Sequence, residues 1–139
     1  MYDTPDAAEA AFYHAFQSVD LEAMMQVWLQ DDEVVCIHPM GPRLEGYAAV
    51  RSSWAQILAG GGDGLRFELS NVVRHDGQDL AVHFVFENIS VGPSPTQRSL
   101  VSATNVYRLT DAGWRMSCHH GSPGRVGSMQ IDAPSGPMH

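Results

Sequence analysis

The chain contains no lysine: all eight basic side chains are arginine, scattered along 139 residues rather than gathered into a stripe. Without such a cluster there is nothing to neutralise a run of phosphates, which argues against nucleic acid as a partner. Sixteen acidic residues leave a net charge of −8 with histidines neutral. No apolar run approaches the roughly 20 residues of a membrane-spanning helix, so no membrane partner is expected. Met1 to Asp6 has neither the positive nor the apolar region of a signal peptide, and the sequence reads as cytoplasmic. Cysteine is scarce too. Cys36 and Cys118, without an export signal, are expected as thiols rather than a bridge. The glycine run Gly60 to Gly64 lacks the following Lys and Ser/Thr of a phosphate loop and reads as a helix exit. No cofactor is expected.

What is present suffices for one core. Apolar residues make up 44% of the chain, and a domain this size buries roughly two thirds of its unfolded surface. Thr4-Pro5-Asp6 opens a helix with Ala8, Phe12, Ala15, Phe16 and Val19 on one stripe. Asp20 caps a second whose Leu21, Met24, Met25 and Trp28 share a face. Glu33 to His38 reads as a buried strand stopped by Pro39 and Gly41, and a third helix runs from about Gly46 to Leu58. Period-two strands follow. Leu65, Phe67 and Leu69 alternate before an Asp76-Gly77 turn, and Val82, Phe84 and Phe86 after it. Gly92 to Pro95 breaks the chain, Leu100 to Leu109 is a long strand, and Asp111-Ala112-Gly113 turns into Trp114 to His120. The Gly-, Pro- and Ser-rich stretch 124–139 reads as an extended tail on a domain spanning 1–123.

Asp20-Leu-Glu-Ala-Met, Trp28 with Asp31-Asp32, His38-Pro39-Met40-Gly41, Leu44-Glu-Gly46, Ala103-Thr-Asn105-Val-Tyr-Arg-Leu, Gly113-Trp114-Arg115 and His119-His120-Gly-Ser122-Pro123 carry a likeness. Over residues 4 to 123 the chain resembles the nuclear transport factor 2-like superfamily, within it the SnoaL-like and ketosteroid-isomerase-like bacterial proteins. The resemblance implies an α+β fold of cystatin-like cone shape. Its helices roof the concave face of a curved antiparallel sheet around a pocket, and the convex face pairs with a second subunit.

The resemblance also nominates residues. His38 stands where ketosteroid isomerases carry a proton-moving Asp before Pro, and imidazole suits a general base near neutrality. Asn105 falls where those enzymes place an oxyanion donor. Their first-helix Tyr position aligns with Phe12, beside Tyr13. On the last strand the implied alternation points Cys118, His120 and Ser122 into the pocket and His119 away from it. Phe12, Trp28, Trp54, Phe84 and Phe86 would supply an apolar wall. His83, Glu87, Thr104, Val106 and His119 would form a convex homodimer face. Cys36 and His38 on one strand and Cys118 and His120 on a neighbour are two Cys-x-His pairs that would suit zinc, though the fold calls for no metal. Asn88-Ile89-Ser90 matches a glycosylation sequon only by coincidence.

Two functional readings stay open, with a zinc-binding variant of the fold behind them. One is a cofactor-free isomerase, dehydratase or hydrolase moving protons with His38, Asn105 and His120 on a small apolar molecule. The other is a dimeric domain that binds such a molecule, or a partner, without chemistry. They separate on whether those three side chains converge on one open point or are consumed by protein partners.

Overall fold

Thr4 starts the fold: its hydroxyl accepts the Ala7 amide at 3.0 Å, Pro5 fills the first turn and Asp6 sits at the positive end of the dipole. The computed structural model describes residues 1–61, 64–92 and 98–124. In chain order the elements are α1 (Pro5–Gln17), α2 (Leu21–Val27), β1 (Val35–Ile37), β2 (Arg43–Glu45), α3 (Tyr47–Gly61), β3 (Leu65–Asp76), β4 (Leu80–Val91), β5 (Arg98–Thr110) and β6 (Gly113–Pro123). Asp20 caps α2 on the Ala23 amide at 3.0 Å. The early strand is shorter than its β-branched run suggests, and the extra short strand β2, which carries no apolar alternation, pairs back onto it. The expected break at Pro93 to Pro95, residues 62–63 of the expected loop and residues 125–139 of the tail lie outside the described residues.

One curved six-stranded sheet runs in the order β2-β1-β6-β5-β4-β3. Its pairings are antiparallel except β1 with β6, which is parallel. The helices cover the inner face, and Phe12, Met24, Met25, Trp28, Trp54, Tyr107 and Met116 are fully buried between the layers. This is the expected α+β architecture.

Two irregularities set which side chains face inward. In β3 the register against β4 shifts between Ser70 and Val73, where Asn71 takes a positive φ of 51°. In β6 the register against β5 shifts between Met116 and Cys118, leaving Ser117 as the extra residue. A bulge of one residue moves every later side chain to the other face. Trp114 and Met116 join the core; beyond Ser117 it is His119 that points in.

The chain start is pinned to the far end of β6, where the Trp114 amide donates to the Tyr2 carbonyl at 2.8 Å. Gly113 makes that contact possible, with φ at +93° and room for no more than a hydrogen: an added Cβ would lie 2.7 Å from the Tyr2 carbonyl oxygen. Gly113→Ala is therefore expected to cost about 2 kcal/mol in a urea unfolding midpoint. A change within error would contradict this packing.

Candidate functional site

The inner face holds a polar cluster built from α1 and three strands. Glu9 and Tyr13 lie four residues apart, on one side of α1. Opposite them stand His83 and Glu87 of β4, Asn105 and Tyr107 of β5 and His119 of β6, all buried. The register makes them neighbours, since His83 pairs with Asn105 and Asn105 with His119.

Their hydrogen bonds form one connected set. Tyr13 donates to Glu87 Oε2 at 2.5 Å. The Asn105 amide nitrogen donates to Glu9 Oε2 at 3.2 Å and to the Tyr13 oxygen at 3.1 Å. Tyr107 donates to Glu9 Oε2 at 2.8 Å. His83 Nδ1 lies 3.1 Å from Glu9 Oε1, and its Nε2 lies 2.7 Å from Asp76 Oδ1. With both Asn105 hydrogens committed, its Oδ1 must accept, so His119 donates from Nδ1 at 2.6 Å. Asn105 thus has no spare hydrogen for a ligand.

Burial without a cation sets the protonation states. Glu87 is pushed up to about 7 by loss of solvent; the Tyr13 hydrogen bond pulls it down and the Glu9 charge adds to the rise. His119 is held down to about 3, first by burial and then by the neighbouring His38 and His120. It is a neutral imidazole at physiological pH. Burial also raises the hydroxyls of Tyr13 and Tyr107 well above the usual range.

The nominated residues scatter. His38 is half-buried, with Nε2 3.1 Å from Ser53 Oγ and 3.6 Å from Cys36 Sγ, its ring edge-on to Trp54, and burial lowers its pKa. Phe12, Trp28 and Trp54, nominated for the apolar wall of the pocket, are fully buried in the core and are not among the residues that line the open cavity at the far end of the sheet. His120 and Ser122 are exposed on the outer face and Cys118 is half-buried there, the reverse of the expected facing, because the Ser117 bulge inverts the alternation. Phe84 and Phe86 also lie on the outer face with Thr104 and Val106, whereas His83, Glu87 and His119, expected outside, are inside. That swap follows from α1, whose Glu9 and Tyr13 make the roofed side polar. The Cys/His quartet does not assemble either: Cys36 and His38 are inside and Cys118 and His120 outside, and both cysteines are free thiols. Spacing alone missed Glu9, Tyr13, Tyr107 and the inward His119, although the matched i, i+4 pairs Glu9/Tyr13 and His83/Glu87 were a visible signal.

A cavity of about 550 Å³ opens at the far end of the sheet, lined by Gln17 of α1, by Arg66 and Phe67 of β3, by Ile89 of β4 and by Arg98 and Leu100 of β5, among others. Phe67 stacks at a tilt on Tyr13 and on Phe16 and so stands at the boundary between cavity and polar cluster.

The sequence profile of a family described as the SnoaL-like domain matches residues 6–125. The chain belongs to that SnoaL-like family. Among solved structures it is similar to a Thiobacillus denitrificans protein provisionally described as a calcium/calmodulin-dependent protein kinase type II association domain, 40% identical over 90% of this chain and 98% of that one, TM-score 0.80. It is also similar to a Streptomyces avermitilis protein of the nuclear transport factor 2-like family provisionally described as a dehydratase, 36% identical over 86% and 93% of the two chains, TM-score 0.78. A Parabacteroides distasonis protein provisionally described as a ketosteroid isomerase shares the fold at 21% identity over 87% and 88% of the two chains, TM-score 0.67. A curated relative is the F-box protein SKIP8 of Arabidopsis thaliana, 29% identical over 122 residues; the match takes in 86% of this chain and about half, 49%, of that protein. The SnoaL-like chain therefore shares a fold with proteins of differing descriptions.

Two titrations predict the pH profile of stability. Glu87 keeps its proton in the fold up to about pH 7 but releases it near 4.5 when unfolded, so stability falls as pH rises from about 4.5 past 7, by about 3 kcal/mol in all. His119 stays neutral in the fold while the unfolded ring takes up a proton below about 6.5, so stability also falls on acidification. Stability measured by denaturation across pH 4 to 9 is expected to be greatest between about 4.5 and 6.5, where the two slopes oppose each other. Glu87→Gln is expected to remove the alkaline decline and to exceed the parent in stability at pH 8; a less stable Gln variant there would contradict the assignment.

Proposed function

We propose that this SnoaL-like chain is a homodimeric binding domain for a small acidic molecule with an apolar body, taken up in the Arg66/Arg98 cavity without chemistry. One observation carries the reading. Asn105 is consumed by Glu9, Tyr13 and His119, His38 is turned onto Ser53 and His120 faces outward, so the nominated trio meets at no open point. The cavity that is open offers two guanidinium groups and Gln17 around Phe67, Ile89 and Leu100, with Glu68 as its acid among the described residues. That combination suits a carboxylate on an apolar frame. Small aromatic and terpenoid carboxylic acids are expected to raise the thermal midpoint where the matching amides do not, and an Arg66→Ala/Arg98→Ala variant to bind at least about tenfold more weakly. No stabilising acid, or equal affinity in the double variant, would overturn the reading.

The outer sheet face supports the dimer. Val73, Leu80 and Phe84 are 48%, 49% and 43% exposed, and Val82, Phe86 and Val106 lie on the same side. Such a patch is costly to leave in water. Light scattering is expected to give twice the 15.2 kDa chain mass, and Phe84→Asp to give the monomer without unfolding; a monomeric parent at micromolar concentration would exclude the dimer.

A second reading, proton transfer on a carbonyl compound, draws on Glu87. A carboxyl brought to about 7 is poised to give or take a proton near neutrality. In this reading Glu87 and His119, oriented by Asn105, take the roles first nominated for His38 and His120. Turnover lost in Glu87→Gln with little change in KM would favour it over binding alone.

A further inference from the structure

The end of the polar cluster opposite the cavity reaches the surface through Asp6 in the first turn of α1 and Asp76 at the end of β3, which lie over the buried His83 of β4. One carboxylate oxygen each of Asp6 and Asp76 and a ring nitrogen of His83 all lie within 4.8 Å of one another. His83 Nε2 is 2.7 Å from Asp76 and 3.9 Å from Asp6. Those separations bracket the spacing of about 3.3 Å between ligand atoms that sit 2.0–2.1 Å from a tetrahedral metal.

The histidine decides what belongs between them. His83 is fully buried, and Glu9, which lies outside this trio, takes its Nδ1 at 3.1 Å. His83 thus faces carboxylates at both ring nitrogens, and the contact of Nε2 with Asp76 is closed either by a proton on Nε2 or, where that nitrogen keeps its lone pair, by a cation shared with Asp76 and Asp6. Carboxylate-His-ligand order is also how metal-binding imidazoles are held, with the far nitrogen fixing the tautomer. Arg74, whose Nε donates to Asp6 Oδ1 at 2.9 Å, would orient a ligand carboxylate in the same way. Its single charge does not balance Asp6, Asp76 and Glu9, whereas Arg74 and a dication together would. The Asp6 and Asp76 side chains are 58% and 42% exposed, which leaves an entry path and room for water on the open coordination positions.

We propose that Asp6, Asp76 and His83 Nε2 form a site for a divalent transition metal, with Glu9 and Arg74 positioning its ligands. One imidazole and two carboxylates suit zinc, cobalt, manganese or iron(II) better than calcium or magnesium. The proposal is independent of the cavity's ligand and of the Cys/His quartet.

The test is calorimetric titration of the untagged, chelator-treated full chain with Zn2+, with Co2+ absorption as a second readout. One equivalent per chain is expected. Asp6→Asn and Asp76→Asn, both at exposed side chains and so compatible with folding, should each weaken binding at least tenfold, and the Co2+ spectrum should lack a sulfur charge-transfer band. Absence of stoichiometric binding, an affinity indifferent to both Asn variants, or a thiolate band from Cys36 or Cys118 would overturn the site.

Discussion

Glu9 is a carboxylate of α1 buried against the inner face of the sheet, with no arginine bonded to it among the described residues. Leaving such a charge unpaired would cost several kcal/mol. What holds it is a ring of donors from three places: the Tyr107 hydroxyl, the Asn105 amide and the His83 ring. Each must arrive on the inner face at the correct height. The phase of β4 and β5 and the position of α1 against them are therefore coupled through this one side chain.

The inward phase of β4 that delivers His83 and Glu87 sends Val82, Phe84 and Phe86 outward. A polar interior and an apolar exterior are thus two consequences of one strand register. The same network fills the inner end of the cone with groups bonded to one another, and Phe67 packed on Tyr13 separates it from the open end. Arg66 and Arg98 flank Ser90 on the outer side of the sheet, so binding at that end and subunit pairing would share one face, while a cation at the Asp6/Asp76 edge would use a separate region.

Much of the architecture was legible in the residues. Thr4, Asp20 and the Asp76-Gly77 turn are local signals whose chemistry does not depend on the rest of the fold, and the elements they bound formed as expected. The family resemblance on Asp20 to Gly46 and Ala103 to Pro123 carried the cone shape. Facing was harder to read. In β4 apolar alternation pointed to the wrong side, because a strand with an apolar outer face and a polar roofed face reads inside out. In β6 the alternation from Trp114 and Met116 was sound until Ser117, a serine with nothing in its neighbourhood to announce a bulge. Since His119 and His120 are adjacent, that one residue decided which histidine joined the site.

The protonation of Glu87 reports most directly whether this interior is the closed, self-satisfied network described. In a 13C-detected NMR titration of the glutamate carboxyls, the account predicts a resonance, assigned by its loss in Glu87→Gln, that titrates with a midpoint near 7. A midpoint near the ordinary 4.5 would mean that water reaches the carboxylate. The cone would then be open at its inner end, and the assignment of binding to the Arg66/Arg98 cavity would lose its basis.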